Sequence, residues 1–265
     1  SLNATDTTAM SVADATTLTS LSNWVGHDAD NDADTAGLYY LSDGFAAVQA
    51  ADATLVNTAS TVAATGSAAA DIMNMSMHSA GMTITGLGDD DVITGTSGAD
   101  TITGGTGADS ITGGEGADTF VFAANDSLEA SMDAITDFAV ADDTLDVAST
   151  DVTVAIATGA GVDVKAAIDG GAGTEDVTAI VTDGIVTLEG AHAGDIDTLA
   201  EWIDVLETGL VVADNDNAAF EFGGNTYFFQ DNTTATGGHD IIELTDVTGI
   251  TAIDITAAAN TLLIA

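Results

Sequence analysis

The chain has 265 residues, and its 43 acidic side chains face one basic side chain, Lys165, which gives a formal net charge of -42. A chain this acidic does not bind nucleic acid through phosphate contacts and does not dock on an anionic membrane. It contains no Cys and no Pro, so disulfides are excluded and its turns depend on Gly, Asn and Asp.

Sequence patterns typical of catalysis and of membrane insertion are missing. There is no G-x-S-x-G elbow, phosphate-binding loop or Cys nucleophile. Because the chain has 43 acidic residues, two carboxylates that could act as a glycosidase pair are not evidence of catalysis. No run of 18 apolar residues predicts a transmembrane segment. The first 20 residues lack the basic and apolar regions of a signal peptide. We therefore expect a protein that is not an enzyme and does not span a membrane.

Residues 1–76 are rich in Ala, Thr and Asp and contain short runs that favour β-structure, such as GLYYL at 37–41. They predict a β-rich region, either a solenoid or a sandwich. Residues 27–37 (HDADNDADTAG) space Asp as an EF-hand loop does, but Ala33 and Tyr39 stand where that loop needs Gly and Glu. This segment is either a non-standard calcium loop or a solvated acidic turn.

A methionine-rich segment, MNMSMH, follows at residues 73–78. Its thioethers are soft ligands of the kind that Cu(I) prefers. Alternating Met residues on one strand face are more often core fillers. The sequence favours the second interpretation.

Between residues 86 and 121 the chain repeats itself every nine residues, reading GLGDDDVIT, GTSGADTIT, GGTGADSIT and GGEGADTFV. A fixed short period is the signature of a solenoid. Residues 77–85 keep only Ile84 in phase and are expected to form a degenerate cap. The in-phase residues are Asp91, Asp100, Asp109 and Asp118 at the sixth position and Ile93, Ile102, Ile111 and Phe120 at the eighth.

The chemistry of each repeat position predicts where a metal ion would bind. The Gly-rich first six residues suit a tight turn, and the last three a short strand with one inward apolar residue. If two repeats make one full turn, Asp91 stacks on Asp109 and Asp100 on Asp118. Each pair is expected to clamp a cation, with backbone carbonyls completing an all-oxygen shell that suits Ca²⁺ rather than Zn²⁺. The predicted metal-site residues of the repeats are these four Asp together with Gly98, Gly107 and Gly116.

This stretch resembles the RTX family of secreted bacterial proteins. The resemblance continues beyond the repeats in DTFVF at 118–122, DAITDF at 133–138 and DDTLD at 142–146. It implies calcium-dependent folding after export through a type I secretion channel, an extracellular location and an uncleaved C-terminal signal. It also adds Asp137, Asp143 and Asp146 to the expected metal-site residues.

Residues 149–265 predict a β-rich C-terminal domain. A hairpin with an Asp-Gly turn is expected at 177–188, a helix near 195–207 and a second hairpin around 221–229. A final strand at 261–265 leaves an apolar end of the kind that type I secretion signals often show. Residues 222–232 and 237–250 resemble the C-terminal module of RTX surface-layer proteins, and Asp240 within GGHDII is a candidate for one more calcium contact.

Together these features predict a mainly β protein: a parallel β-roll or β-solenoid with flanking β-rich segments and one or two short helices. The expected regions are 1–76, the roll with its closing segment at 77–148, and the C-terminal domain at 149–265. The expected function is that of a secreted, calcium-binding structural protein that assembles with copies of itself, with cell-surface polysaccharide as a further partner. The alternative is a calcium-dependent secretion and folding module of an RTX exoenzyme or adhesin.

Overall fold

The computed structural model describes residues 63–76, 78–147, 177–191, 193–209, 217–231 and 239–256, together with the backbone of strands at 38–41, 47–48, 54–57, 162–163 and 261–264. Within these residues the chain is mainly β with one short α-helix, which confirms the predicted fold class. The acidic segment 27–37 lies outside the described residues. No helix of the described part is long and apolar enough to cross a membrane.

A roll of short strands forms the first half of the described chain. Odd-numbered strands lie in one sheet, sheet 1, and even-numbered strands lie in a second, sheet 2. The strands of the roll are β1 (Leu38–Leu41), β2 (Ala47–Val48), β3 (Thr54–Asn57), β4 (Ala64–Thr65), β5 (Ile72–Asn74), β6 (Thr83–Gly88), β7 (Val92–Thr94), β8 (Thr101–Thr106), β9 (Ser110–Thr112), β10 (Thr119–Phe122), β11 (Asp133–Ile135) and β12 (Thr144–Val147).

Neighbouring strands of the roll are parallel, and each pairs with the strand one full lap away. In sheet 2, β6 pairs with β8 and places Ile84 opposite Ile102. In sheet 1, β7 pairs with β9 and places Ile93 opposite Ile111. One lap is therefore two nonapeptides, which confirms the predicted stacking. β5 pairs with both β3 and β7, so sheet 1 continues across residue 76.

From β4 to β12, the interior of the roll is a narrow column of apolar side chains, one from most strands and two from β10 and β12. The eighth-position residues are completely buried, as predicted. Met73 and Met75 are also fully buried in the same core, so the core-filling interpretation holds for these two methionines. Because each lap contributes few large side chains, the core is thin, and the roll depends strongly on its backbone hydrogen bonds and turns.

The C-terminal half extends both sheets. β18 pairs parallel with β11 and antiparallel with β17, so sheet 1 passes directly from the roll into the C-terminal sheet. β20 pairs antiparallel with β12 and extends sheet 2. The remaining strands are β13 (Val162–Asp163), β14 (Thr178–Thr182), β15 (Ile185–Glu189), β16 (Asn217–Phe222), β17 (Asn225–Asp231), β18 (His239–Leu244), β19 (Ile253–Thr256) and β20 (Thr261–Ile264).

Both predicted hairpins are confirmed. β14 and β15 meet at Asp183 and Gly184, whose φ angles of 48° and 84° are those of a type I′ turn. β16 and β17 meet at Gly223 and Gly224, which also have positive φ. These turns need residues that tolerate the left-handed region.

The predicted helix is shorter at its start than the sequence suggested. Helix α1 spans Leu199–Asp204, and Val205–Gly209 continues it as a π-helical turn, whereas Ala193–Asp195 forms a separate 3₁₀ turn. The helix begins late because Thr198 and Glu201 form a capping box. Its buried face, with Trp202 and Ile203, packs on the side of sheet 1 that faces away from the roll core.

Candidate cation sites at the edges of the roll

The turns of the roll stack into two edges. The first edge contains the turns that lead from sheet 2 to sheet 1, such as β6 to β7 and β8 to β9. The second edge contains the turns that lead from sheet 1 to sheet 2, such as β7 to β8 and β9 to β10. The sixth-position residue closes each turn, so its side chain lies between consecutive laps.

On each edge the buried aspartates form a ladder. The Oδ1 atom of each aspartate accepts the backbone N–H of the equivalent residue one lap earlier. On the first edge, the donor and acceptor pairs are Asp71 to Asp91 (2.7 Å), Asp91 to Asp109 (2.8 Å) and Asp109 to Asp133 (2.8 Å). On the second edge, they are Met82 to Asp100 (2.6 Å), Asp100 to Asp118 (2.8 Å) and Asp118 to Asp143 (2.9 Å).

These ladders bring together the aspartates that the sequence paired. Asp91 lies one lap from Asp109, and Asp100 lies one lap from Asp118. The ladder also shows a role that the repeat pattern did not predict, because half of each carboxylate is a structural acceptor for the neighbouring turn. The other half is what remains for a cation.

The second carboxylate oxygen is unpartnered in three of the four repeats. Asp91, Asp109 and Asp118 are at most 2 % exposed. Their Oδ2 atoms are buried and accept no hydrogen bond from any described residue. A buried carboxylate oxygen without a partner is costly, and native structures normally satisfy it with protein, water or an ion.

Asp100 differs from these three. Its Oδ2 atom accepts the Thr96 N–H at 2.6 Å, and its Oδ1 atom accepts the Thr96 hydroxyl at 2.9 Å as well as the Met82 N–H. The corresponding second-position residues Leu87, Gly105 and Gly114 have positive φ, whereas Thr96 does not. Both carboxylate oxygens of Asp100 thus accept hydrogen bonds from the protein itself.

The glycines of the turns leave space that oxygen atoms fill. A Cβ on Gly86 would collide with Asp91 Oδ2 and with the carbonyl oxygen of Gly104 in the next lap. Among the predicted glycines, Gly107 and Gly116 have positive φ, and a Cβ there would collide with the carbonyl groups of Asp89 and Gly98 respectively. Backbone carbonyl oxygens therefore line the spaces between laps, next to the unpartnered carboxylates.

Asp137 and Asp143 close the last turn of the second edge. Asp137 accepts the N–H groups of Gly113 and Gly114 at 2.8 and 2.9 Å. Asp143 accepts those of Asp118 and Ala139. All four carboxylate oxygens thus have amide donors.

Asp146 lies elsewhere. It is on β12, between the buried Leu145 and Val147, so its half-buried side chain points to the outer face of sheet 2. The structure does not bring it to either edge. Asp240 accepts the N–H groups of Asn125 and Ser127 at the C-terminal end of the first edge.

Sequence reasoning missed Asp71, which is 1 % exposed and has an unpartnered Oδ1 atom. Residues 66–74 read GSAAADIMN, with Gly66, Asp71 and Met73 at the first, sixth and eighth positions of the nonapeptide. Asp71 lies 20 residues before its ladder partner, whereas the repeats are spaced by 18. The in-phase Gly, Asp and Met were the available signal, but the two extra residues break the period.

Burial raises the pKa of the unpartnered aspartates. The pKa of Asp91 rises to about 7, and those of Asp109 and Asp118 rise to about 6, chiefly because desolvation disfavours the charged form and further because nearby carboxylates repel it. The only basic residue of the sequence other than His is Lys165. These carboxylates must therefore be neutralised by a proton or by a cation from solution.

The donor set identifies the kind of cation that fits. The described residues contain no cluster of three or more His, Cys, Asp or Glu side chains that could hold a metal ion. A shell here must combine a carboxylate oxygen with backbone carbonyls. Ca²⁺ accepts such all-oxygen, irregular shells, whereas Zn²⁺ prefers nitrogen and sulfur ligands. The unpartnered oxygens and the carbonyl-lined spaces fit Ca²⁺.

Comparison with known families agrees with this geometry. The model of the RTX calcium-binding nonapeptide repeat matches residues 83–121 in four copies. No curated protein matches the chain. The matched residues contain the four sixth-position aspartates and the strands β6 to β9. Residues 83–121 are therefore RTX calcium-binding nonapeptide repeats, and the ion that such repeats bind is Ca²⁺.

Proposed function

We propose that this chain is a secreted structural protein that folds when it binds Ca²⁺ and then assembles with its own copies into a bacterial surface layer or extracellular matrix. The observation that carries the proposal is the set of buried, unpartnered carboxylate oxygens at Asp91, Asp109 and Asp118 in a chain with one Lys and no Arg. We propose no catalytic role.

Calcium acts first on folding in this proposal. Without a cation, the net charge of -42 opposes the compact state by self-repulsion. An ion that binds only the folded roll stabilises it by mass action, by about 2.7 kcal/mol for each site at a free concentration 100 times its Kd. Extracellular calcium at millimolar concentration would then favour the folded roll, and a calcium-poor compartment would leave it much less stable before export.

Assembly is the second step of the proposal. The outer face of sheet 1 carries Ile72 and Val92 side by side in register, and these are 52 % and 46 % exposed. Exposed apolar residues that form a patch favour contact with another surface. Divalent ions can bridge the acidic surfaces of neighbouring copies, or a copy and an acidic cell-surface polysaccharide.

Electron microscopy tests the assembly directly. The purified chain is imaged by negative stain in millimolar calcium chloride and in EDTA, with magnesium chloride as the matched divalent control. Ordered sheets or filaments that form in calcium and vanish in EDTA would support the proposal. Folded single particles in calcium would instead favour a secretion and folding module of an exoenzyme or adhesin.

The pH dependence of stability gives a second test. The folded-state pKa of Asp91, about 7, and those of Asp109 and Asp118, about 6, lie above the ordinary value of 3.8. Between about pH 4 and pH 7 the folded state thus binds more protons than the unfolded state, and the free energy of unfolding falls as pH rises. We expect the melting temperature in EDTA to fall across this window.

The same measurement in calcium should show the opposite trend, because Ca²⁺ must displace those protons and binds more tightly as pH rises. Thermal unfolding followed by circular dichroism measures both trends. A parallel series in added sodium chloride is the control, since salt screens surface repulsion far more than it screens buried groups. A melting temperature in EDTA that rises from pH 5 to pH 8 would contradict the expectation.

A further inference from the structure

The outer face of sheet 2 carries no charge over four neighbouring strands, although the net charge of the chain is -42. Strands β4, β6, β8 and β10 contain no acidic residue. Burial alternates along them, so every second side chain points away from the roll core. Most of these outward side chains are threonines, which we call the threonine face: Thr65, Thr83, Thr85, Thr101, Thr103 and Thr119.

The threonine face is regular because its strands stack in register. Thr101 on β8 lies opposite Thr83 on β6 and Thr119 on β10, and Thr85 lies opposite Thr103 in a second column. Neighbouring strands of a sheet are about 4.7–4.9 Å apart, so the hydroxyl and methyl groups recur at that spacing. Thr83 and Thr101 are exposed. The face therefore presents a repeating, uncharged surface to the outside of the roll.

Leu87 extends this uncharged surface at the end of β6. Its side chain is 48 % exposed, and its φ of 96° lies in the left-handed region that leucine rarely adopts. Gly105, its register partner on β8, has a φ of 111°, so the backbone here suits glycine. A leucine in this conformation costs strain and, because it is half exposed, gains little burial within its own chain. Contact with a second surface would bury it.

A second contact surface is what the proposed assembly needs. Ile72 and Val92 lie on the outer face of sheet 1, and the threonine face lies on the outer face of sheet 2, so the roll core separates them. Two copies that meet through the same face form a closed dimer, because a two-fold contact uses that face on both copies. A layer or filament then requires a further contact on another surface. The threonine face is on the opposite side of the roll, where a contact would extend such a dimer.

Charge and hydrogen bonding indicate which surface the threonine face fits. Copies that each carry a net charge of -42 repel one another, and contact is least opposed where neither surface carries a carboxylate. A hydroxyl group can both donate and accept a hydrogen bond, so one threonine face can satisfy the hydroxyl groups of another. The side chains of Ile72 and Val92 offer neither donor nor acceptor and would leave those hydroxyl groups unpaired. The fitting partner is therefore the threonine face of a second copy.

We propose that two copies of the chain pair through their threonine faces, and that this contact, together with the Ile72 and Val92 contact on the opposite sheet, extends the assembly beyond a dimer. The contact presupposes the self-assembly proposed above. Thr101 has a threonine on either side in its column, so its side chain lies near the middle of the contact.

Thr101→Glu tests the contact by placing a carboxylate at the middle of the threonine face. Val92→Glu does the same on the outer face of sheet 1, and the double variant changes both faces. Thr182→Glu is the matched control, because Thr182 is an exposed threonine on β14 in the C-terminal sheet. Sedimentation velocity of the full chain in millimolar calcium chloride measures the size of the assemblies, and circular dichroism checks that each variant is folded.

We expect extended assemblies for the wild type and Thr182→Glu, dimers for Thr101→Glu and for Val92→Glu, and monomers for the double variant. Assemblies of Thr101→Glu as large as those of the wild type would overturn the contact and leave the threonine face to another partner, such as an uncharged polysaccharide. Monomers in both single variants would overturn the pairing of like faces, since the two faces would then bind each other. A wild type that is folded but monomeric in calcium would instead overturn the proposed self-assembly itself.

Thr101→Cys decides if Thr101→Glu does not fold, because cysteine is small and adds no carboxylate. The chain contains no Cys, so the introduced thiol is the only one. A short bismaleimide cross-linker is added in calcium, and Thr182→Cys is the control. Covalent dimers of Thr101→Cys in several times the yield of Thr182→Cys would support the contact, and equal yields would overturn it.

Discussion

Asp109→Ala is expected to abolish calcium-induced folding of the roll at calcium concentrations that fold the wild type. The substitution removes the acceptor of the Asp91 N–H, and a stranded buried amide costs about 1–3 kcal/mol. It also removes the unpartnered Oδ2 atom, which we propose binds Ca²⁺, and with that ion a stabilisation of about 2.7 kcal/mol at 100 times the Kd. Asp109 is in the middle of the first-edge ladder, with one lap stacked before it and one after it. Both losses therefore destabilise the centre of the roll rather than an end.

Asp89→Asn is the matched control on the same edge. It also removes one negative charge, but Asp89 is exposed and outside the ladder. Asn is used rather than Ala because Asp89 has a φ of 66°, which Asn tolerates better than Ala. Calcium titrations followed by circular dichroism compare the two variants. If the calcium concentration at the midpoint of folding shifts equally in the two variants, the calcium dependence of folding does not come from the stacked carboxylates.

The sequence predicted the repeating part of this structure because each lap there obeys one simple rule. The glycines, the sixth-position Asp and the eighth-position apolar residue recur at fixed spacing, and the register places Ile93 opposite Ile111 as that spacing requires. The period of two nonapeptides for each lap then determines which aspartates stack. This much follows from strand geometry and the alternation of side chains.

The same reasoning did not predict the aspartates that join the ladder at other spacings. Asp71 and Asp133 join the first-edge ladder from laps of 20 and 24 residues, because the intervening turns absorb extra residues without disturbing the strand register. A search for residues at a fixed spacing does not find a ladder position that is defined only by its hydrogen bonds. The late start of α1 has a similar cause, since the cap at Thr198 outweighs the apolar periodicity around Ile196.

Whether both oxygens of a ladder aspartate are hydrogen-bonded also depends on the conformation of the second residue of its repeat. Thr96 at the second position lacks the positive φ of its counterparts and turns its N–H and hydroxyl onto Asp100. In the sequence, Asp100 and Asp118 look equivalent. Their surroundings in the structure differ, and that difference leads to different predictions for the two residues.

Asp118→Asn and Asp100→Asn are expected to differ in their stability in EDTA and in the number of calcium ions that they bind. In Asp118→Asn, the new amide group takes the place of an oxygen that no described donor faces, and the substitution removes a buried charge. The variant should therefore unfold in EDTA at the same temperature as the wild type or a higher one. In calcium it should bind one ion fewer and gain less stability.

In Asp100→Asn, the amide group faces N–H donors whichever way it is turned, because Met82 donates to one oxygen and Thr96 to the other. A buried donor left without an acceptor costs about 1–3 kcal/mol, so this variant should be less stable in EDTA and in calcium alike. Its ion count should equal that of the wild type. Thermal unfolding in both conditions, with native mass spectrometry for the ion count, measures each effect. If Asp100→Asn loses an ion and Asp118→Asn does not, the unpartnered oxygens are not the calcium ligands, because the turn already filled by Thr96 would be the one that binds.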